Sequence, residues 1–129
     1  MFDETIKQYL LAKPEAVEEY PFGPDVMVIK VQQKVFALCM VRKGQRMVNL
    51  KCDPEEAQQL RDIFSAVIGG YHMNKRHWNS VLLDGSLPPG EIERMIDNSY
   101  NLVVKGLKKA DREGLEVRYG RQRIYSLNK

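Results

Sequence analysis

The chain has 129 residues, 43% of them hydrophobic and 29% charged, with a formal net charge of +3. One core of ordinary size fits that length and composition, so neither metal nor disulfides are needed for folding. No apolar run approaches the roughly 20 residues that span a bilayer, and Met1-Phe2-Asp3-Glu4 does not open a secretion signal, so a cytoplasmic location is expected.

Phe2, Ile6, Tyr9 and Leu10 fall at helical spacing and predict a short first helix, which Pro14 stops. Residues 15–24, with Pro21, Gly23 and Pro24, read as an irregular connector whose acids Glu15, Glu18 and Glu19 form a solvated face. Residues 25–31 and 34–41 are rich in Val and Ile and are separated only by Gln32-Gln33, which predicts a tight hairpin. A third strand, residues 46–50, follows a turn around Gly44, completing an antiparallel meander. That second turn gathers Arg42, Lys43 and Arg46, either as a solvated tip or as a phosphate contact. Cys39 and Cys52 lie in or beside strands and read as reduced thiols.

Asp53-Pro54-Glu55-Glu56 is a strong helix start: Asp53 caps, Pro54 suits the first turn, and Glu56 can bond back. Ala57, Leu60, Ile63, Phe64 and Val67 then predict one buried helical stripe, ended by Gly69-Gly70. Residues 80–83 read as a strand closed by Asp84-Gly85. Pro88-Pro89 leads into a last long helix, with Ile92, Met95, Ile96, Ser99, Leu102, Val103 and Leu107 inward. Residues 110–129 fit a strand pair, from the alternation of Leu115, Val117 and Tyr119, or a loosely attached basic tail. Eight Lys/Arg against three Asp/Glu from position 105 onward give this tail +5 and leave −2 for the rest. Affinity for phosphate must therefore come from local clusters or from the tail.

The stretch between the second and last helices, residues 69–85, holds both histidines and the only tryptophan. His72 and His77 are five apart, and there is no CxxC, HxxxH or EF-hand spacing, so no metal is expected. No P-loop, GxGxxG or nucleophile elbow is present, so no cofactor and no catalysis are expected. A hydrolase using His72 or His77 is the third reading, and it requires a serine, cysteine or carboxylate beside one of them. Asn74-Lys75-Arg76 sets an amide beside two bases, a combination suited to phosphate oxygens or base edges. Tyr71, His72 and Trp78 could stack on bases or line a pocket. The structural alternatives are a core anchor for Trp78 and a turn cap for Asn74.

The run Tyr71-His72-Met73-Asn74-Lys75-Arg76-His77-Trp78, then Val81-Leu82-Leu83-Asp84-Gly85-Ser86-Leu87-Pro88, resembles the signature of the MmcQ/YjbR family. Ser99-Tyr100, Lys13-Pro14-Glu15-Ala16, Tyr20-Pro21-Phe22-Gly23 and Val35-Phe36-Ala37 fit the same family. The resemblance covers about residues 1–108, leaving 109–129 as a basic C-terminal extension. It implies an α+β domain, an antiparallel sheet packed against helices in the order α-βββ-α-ββ-α, related to the frataxin-like fold. It also implies a double-wing DNA-binding motif. Gln32-Gln33 departs from the glycine-containing turn expected there.

The expected partner is double-stranded DNA. Arg42, Lys43 and Arg46 on one wing and Asn74, Lys75 and Arg76 on the other would grip its backbone. Arg118, Arg121 and Arg123 of the tail would add non-specific affinity. The alternative is a protein- or small-molecule-binding module using the Tyr71/His72/Trp78 surface. Both depend on which segments converge on folding.

Overall fold

The computed structural model describes residues 2–126. Six strands form one antiparallel sheet: β1 (Val17–Glu19), β2 (Val26–Val31), β3 (Lys34–Arg42), β4 (Gln45–Lys51), β5 (Val67–Gly69) and β6 (Trp78–Leu82). Their order is β1-β2-β3-β4-β6-β5. Both predicted hairpins are present. Gln32 and Gln33 adopt φ of 48° and 69°, and Lys43 and Gly44 adopt 51° and 79°. Two consecutive left-handed residues give a turn whose twist matches that of paired strands. In the first turn, glutamines bear a steric cost that glycine would not. Ile29 pairs with Ala37 and Lys30 with Val35, leaving Phe36 as a bulge. The extra residue lets Phe36 and Ala37 both enter the core.

Helices α1 (Glu4–Leu11), α2 (Pro54–Ile63) and α3 (Pro89–Lys105) cover one face of the sheet. Asp3 caps α1 through the Ile6 N–H, and Asp53 caps α2 through the Glu56 N–H. Pro54 sits in the first turn of α2 as its sequence predicts. The core joins Ile6 and Leu10 of α1, Ala57 and Leu60 of α2, and Ile92, Ile96, Tyr100 and Val104 of α3 to alternate strand residues such as Met27, Ile29, Cys39, Val48, Leu50 and Val81. Burying each large aliphatic side chain contributes about 1.5–3 kcal/mol. Ser99 fixes α3 on the sheet: its hydroxyl donates to the Phe36 carbonyl and accepts the Lys51 N–H. The Tyr100 ring meets Phe36 edge-on at 5.2 Å, and its hydroxyl donates to the Pro14 carbonyl. Lys13 and Asp97 form a buried ion pair, and Asp97 also accepts the Tyr9 hydroxyl.

Alternation turns Val28, Leu38, Met47, Asn49 and Ser80 to the opposite, helix-free face. The antiparallel α+β architecture is thus the expected one, with one strand added before the meander and two helices after α3. Among the described residues, no helix is long and apolar enough to cross a membrane.

Three local expectations are corrected. First, α2 ends at Ile63, which is 68% exposed, and Val67 belongs to β5. Gly69-Gly70 therefore ends a strand, not a helix. The helical stripe fails because Val67 pairs with Val81 of β6, and ladder bonds there replace those of a longer helix. Second, the connector at residues 15–24 contains β1. Its acids suit an edge strand, where charge discourages further pairing. Third, the tail as far as Ser126 is neither a strand pair nor loose, and residues 127–129 lie outside those described. It forms α4 (Lys109–Tyr119) and α5 (Arg121–Tyr125), joined at Gly120 with φ 85°. Leu115, Ile124 and Tyr125 enter the main core, while Val117 is 85% exposed. The apparent alternation was a helical face, since Leu115 and Tyr119 are four apart.

Candidate functional site

Residues 70–77 connect β5 to β6 and fold back over the helix-free face. The Gly70 N–H donates to the Trp78 carbonyl at 2.8 Å. A Cβ on Gly70 would lie 2.8 Å from the Trp78 Cβ and 2.9 Å from its carbonyl oxygen, so the turn requires glycine. The Tyr71 N–H donates to Ser80 Oγ at 2.8 Å, and Asn49 Nδ2 donates to the Tyr71 carbonyl at 3.1 Å. Ser80 Oγ in turn donates to Asn49 Oδ1. Both anchoring side chains are fully buried, so this small network fixes the loop's first turn. The loop's second turn closes on Asn74. Its Oδ1 accepts the Arg76 N–H at 3.0 Å, and its carbonyl accepts the N–H groups of His77 and Trp78. Asn74 therefore spends its side-chain oxygen on the turn, and Lys75 and Arg76 stand exposed at its tip.

This docking brings the start of the loop against the first expected wing. The Arg42 guanidinium lies 4.2 Å from the Tyr71 ring centroid. The His72 ring lies 4.0 Å from Tyr71 and is tilted by 37°. His72 holds φ 59°, a left-handed conformation unusual outside glycine and asparagine. Lys43 adjoins Arg42 at the hairpin tip, exposed to solvent. Arg46 pairs with Val41, one step out of phase with Arg42, so its side chain leaves on the helix-bearing side. Trp78 is half-buried at the start of β6, across from Lys51 on the helix-free face. Lys75 turns back across Gly69, next to Arg61 of α2.

The tail arginines do not join them. Arg118 is paired with Glu15 at 2.8 Å, and Glu15 also accepts from Gln32 at the first hairpin. The nine-residue strand β3 separates that end from Arg42 by roughly 30 Å. Arg121 is paired with Glu116 and lies over Tyr125, and Arg123 lies over Tyr119. Arg118 and Arg121 are thus ion-paired, whereas among the described residues Arg123, like Arg42, Lys43, Arg46, Lys75 and Arg76, forms no ion pair. Among the strand residues on the helix-free face, Glu19 is the only carboxylate, and it is paired with Lys30 at 3.1 Å.

Other chemistries find less support. Ser80, the nearest serine in sequence to either histidine, is consumed in the buried network with Asn49 and Tyr71. Among the described residues, neither imidazole hydrogen-bonds a serine, cysteine or carboxylate. Burial pushes the Cys39 thiol up to about 12 and the Cys52 thiol up to about 11, so both are neutral at pH 7. Among the described residues, no group of three or more His, Cys, Asp and Glu is placed to hold a metal ion. Open clefts of about 410 and 400 Å³ are lined by residues around Glu15 and Gln33 and by residues of α2 and α3, away from Tyr71, His72 and Trp78.

The anchors Asn49 and Ser80 escaped the sequence reading. Their signal was an asparagine inside the apolar run Met47-Val48-Asn49-Leu50, since a buried amide demands partners. Arg61 was also missed, because a single cation in the last turn of a helix is ordinary.

The YjbR family model matches residues 11–102. The chain is 37% identical over 110 residues to the uncharacterised protein YbdF of Escherichia coli O157:H7, covering 85% of this chain and 90% of that one. It is 38% identical over 106 residues to the uncharacterised protein YjbR of Escherichia coli strain K12, covering 82% and 90%. Its structure is similar to the crystal structure of a Deinococcus radiodurans protein, with a TM-score of 0.79, 33% identity, and 85% and 84% of the two chains covered. A Pseudomonas syringae protein of known structure gives a TM-score of 0.69 at 30% identity, covering 79% and 98%.

Proposed function

The chain belongs to the YjbR family, and we propose that it binds double-stranded DNA through the phosphate backbone, without catalysis. The grip comes from Arg42 and Lys43 on the β3–β4 hairpin and from Lys75 and Arg76 on the 70–77 loop. One observation carries this reading: among the described residues these four cations have no carboxylate partner, while Arg118 and Arg121 of the tail do. An unpaired cation binds phosphate without first breaking an ion pair, and it releases counterions from the nucleic acid. Arg42 is also pre-organised, because its stack on Tyr71 holds the guanidinium against the loop. Asn74 supports the loop's shape rather than the ligand, and Arg46 leaves on the side of the sheet opposite Arg42.

Fluorescence anisotropy of a labelled duplex against salt tests the proposal. Four phosphate contacts give a slope of log K against log salt of about −3.6. Arg42→Gln and Lys43→Gln should each flatten that slope by about 1. Arg118→Gln and Arg121→Gln should alter it much less. Absence of binding at low salt, or a slope near zero, ends the proposal.

A further inference from the structure

We infer that Arg61 and Lys75, brought side by side over the missing Cβ of Gly69, form a binding site for one phosphate group at the β5 edge. The choice of a phosphodiester as natural ligand rests on the nucleic-acid reading above; the anion site itself rests on geometry. A Cβ built on Gly69 would lie 3.0 Å from Arg61 Nη1 and 3.2 Å from both Cγ and Cδ of Lys75. Two atoms each about 3 Å from one point are at most about 6 Å apart, so a guanidinium nitrogen and the middle of the Lys75 stem are close neighbours.

The Lys75 ammonium, two bonds beyond Cδ, is within reach of the Arg61 guanidinium; like charges so placed repel, and an anion between them reverses the sign. No protein group supplies that anion: neither Arg61 nor Lys75 is in an ion pair among the described residues. Asp62, adjacent in sequence, instead accepts from Gln58. Arg61 Nε donates to the Ala57 carbonyl at 3.3 Å, which orients the guanidinium while the Nη nitrogens make no hydrogen bond among the described residues. The backbone adds a donor. The Gly70 N–H bonds across to Trp78, so strand alternation turns the Gly69 N–H outward from the sheet edge. A planar fork, a mobile ammonium and a backbone N–H around one point suit a tetrahedral oxyanion.

Gly69 is the lever for the test. Its φ is not left-handed, and it sits in a strand, where valine is well tolerated. Gly69→Val would push on the Arg61 guanidinium and on the middle of the Lys75 stem while keeping every charge. The experiment compares wild type, Arg61→Gln, Lys75→Gln and Gly69→Val in duplex anisotropy over a salt series. In parallel, amide chemical shifts are followed by NMR during titration with inorganic phosphate. Arg61→Gln should weaken duplex binding several-fold and flatten the slope by less than loss of a whole contact would, since Lys75 still reaches the same phosphate. Gly69→Val should weaken binding similarly at unchanged melting temperature. Phosphate should shift the amides of Gly69 and Lys75 in wild type and not in Gly69→Val. Should the valine variant fail to fold, Arg61→Gln carries the same test. If wild type binds duplex and all three variants bind it equally, the site is refuted and the DNA reading stands. If wild type ignores duplex but phosphate shifts those amides, the site stands and the DNA reading falls. If neither ligand has an effect, both fall.

Discussion

Leu115 decides whether the C-terminal helices are part of the folded unit. It is fully buried in the main core, although it lies in α4, beyond the last family-matched residue. Leu115→Ala removes three carbons and leaves a cavity, at a cost of about 3 kcal/mol, within the 2–5 kcal/mol range for fully buried leucines. A chain of 129 residues has an unfolding entropy that converts each kcal/mol into about 4 °C of melting temperature. The expected fall is therefore about 11 °C by differential scanning calorimetry, with a matching drop in the urea midpoint at unchanged m-value. Val117→Ala on the same helix is the control. That side chain is 85% exposed, so the change should stay within about 0.5 kcal/mol. A Leu115→Ala protein that melts within 2 °C of wild type would show that α4 contributes nothing to the core, and the packing argument would be wrong.

Ser80→Ala removes both the acceptor of the Tyr71 N–H and the donor to Asn49 Oδ1. It should cost about 2–3 kcal/mol in urea unfolding and change Trp78 emission as the loop loosens; an unchanged midpoint would exclude the network as the loop's anchor. Gln33→Gly relieves a left-handed φ of 69° and should stabilise by about 1 kcal/mol; a loss of stability would contradict the turn assignment. The Tyr125 hydroxyl, with Arg121 and Arg112 behind it, holds the Glu116 carboxyl below the usual carboxylate range. Its folded value is depressed, so its stabilisation is complete above the unfolded carboxylate value and disappears as pH falls through the lower folded one. The melting-temperature gap between wild type and Glu116→Gln should thus be widest near neutrality and shrink on acidification; a gap that grows with acid would refute the sign. Cys39 and Cys52 are both buried with raised thiol values, so they should resist a disulfide reagent at pH 8 in the native protein and react fully in urea.

Local chemistry made much of the fold legible in the sequence. The β2–β3–β4 meander follows from Val- and Ile-rich runs parted by two-residue turns. The capped start of α2 and the inner face of α3 follow from residue spacing, and the motif from Tyr71 to Pro88 was enough to suggest the family. These are properties of neighbours along the chain, fixed by backbone preference and by which side chains shun water. What the residues could not disclose was every decision requiring a distant partner. Val67 could continue a helix or pair with Val81, and only the presence of β6 beside it settled the choice. Leu115 looked like part of an alternating strand until the core offered it a helical berth. The same distinction divides the candidate binding residues. The positions of Arg42, Lys43, Lys75 and Arg76 were readable, but whether each cation kept a counter-ion was not. Glu15 lies 103 positions from Arg118 and cancels it, while Tyr71 lies 29 positions from Arg42 and orients it. Charge is written in the sequence, whereas its neutralisation is a matter of distance in space, which chain collapse alone determines.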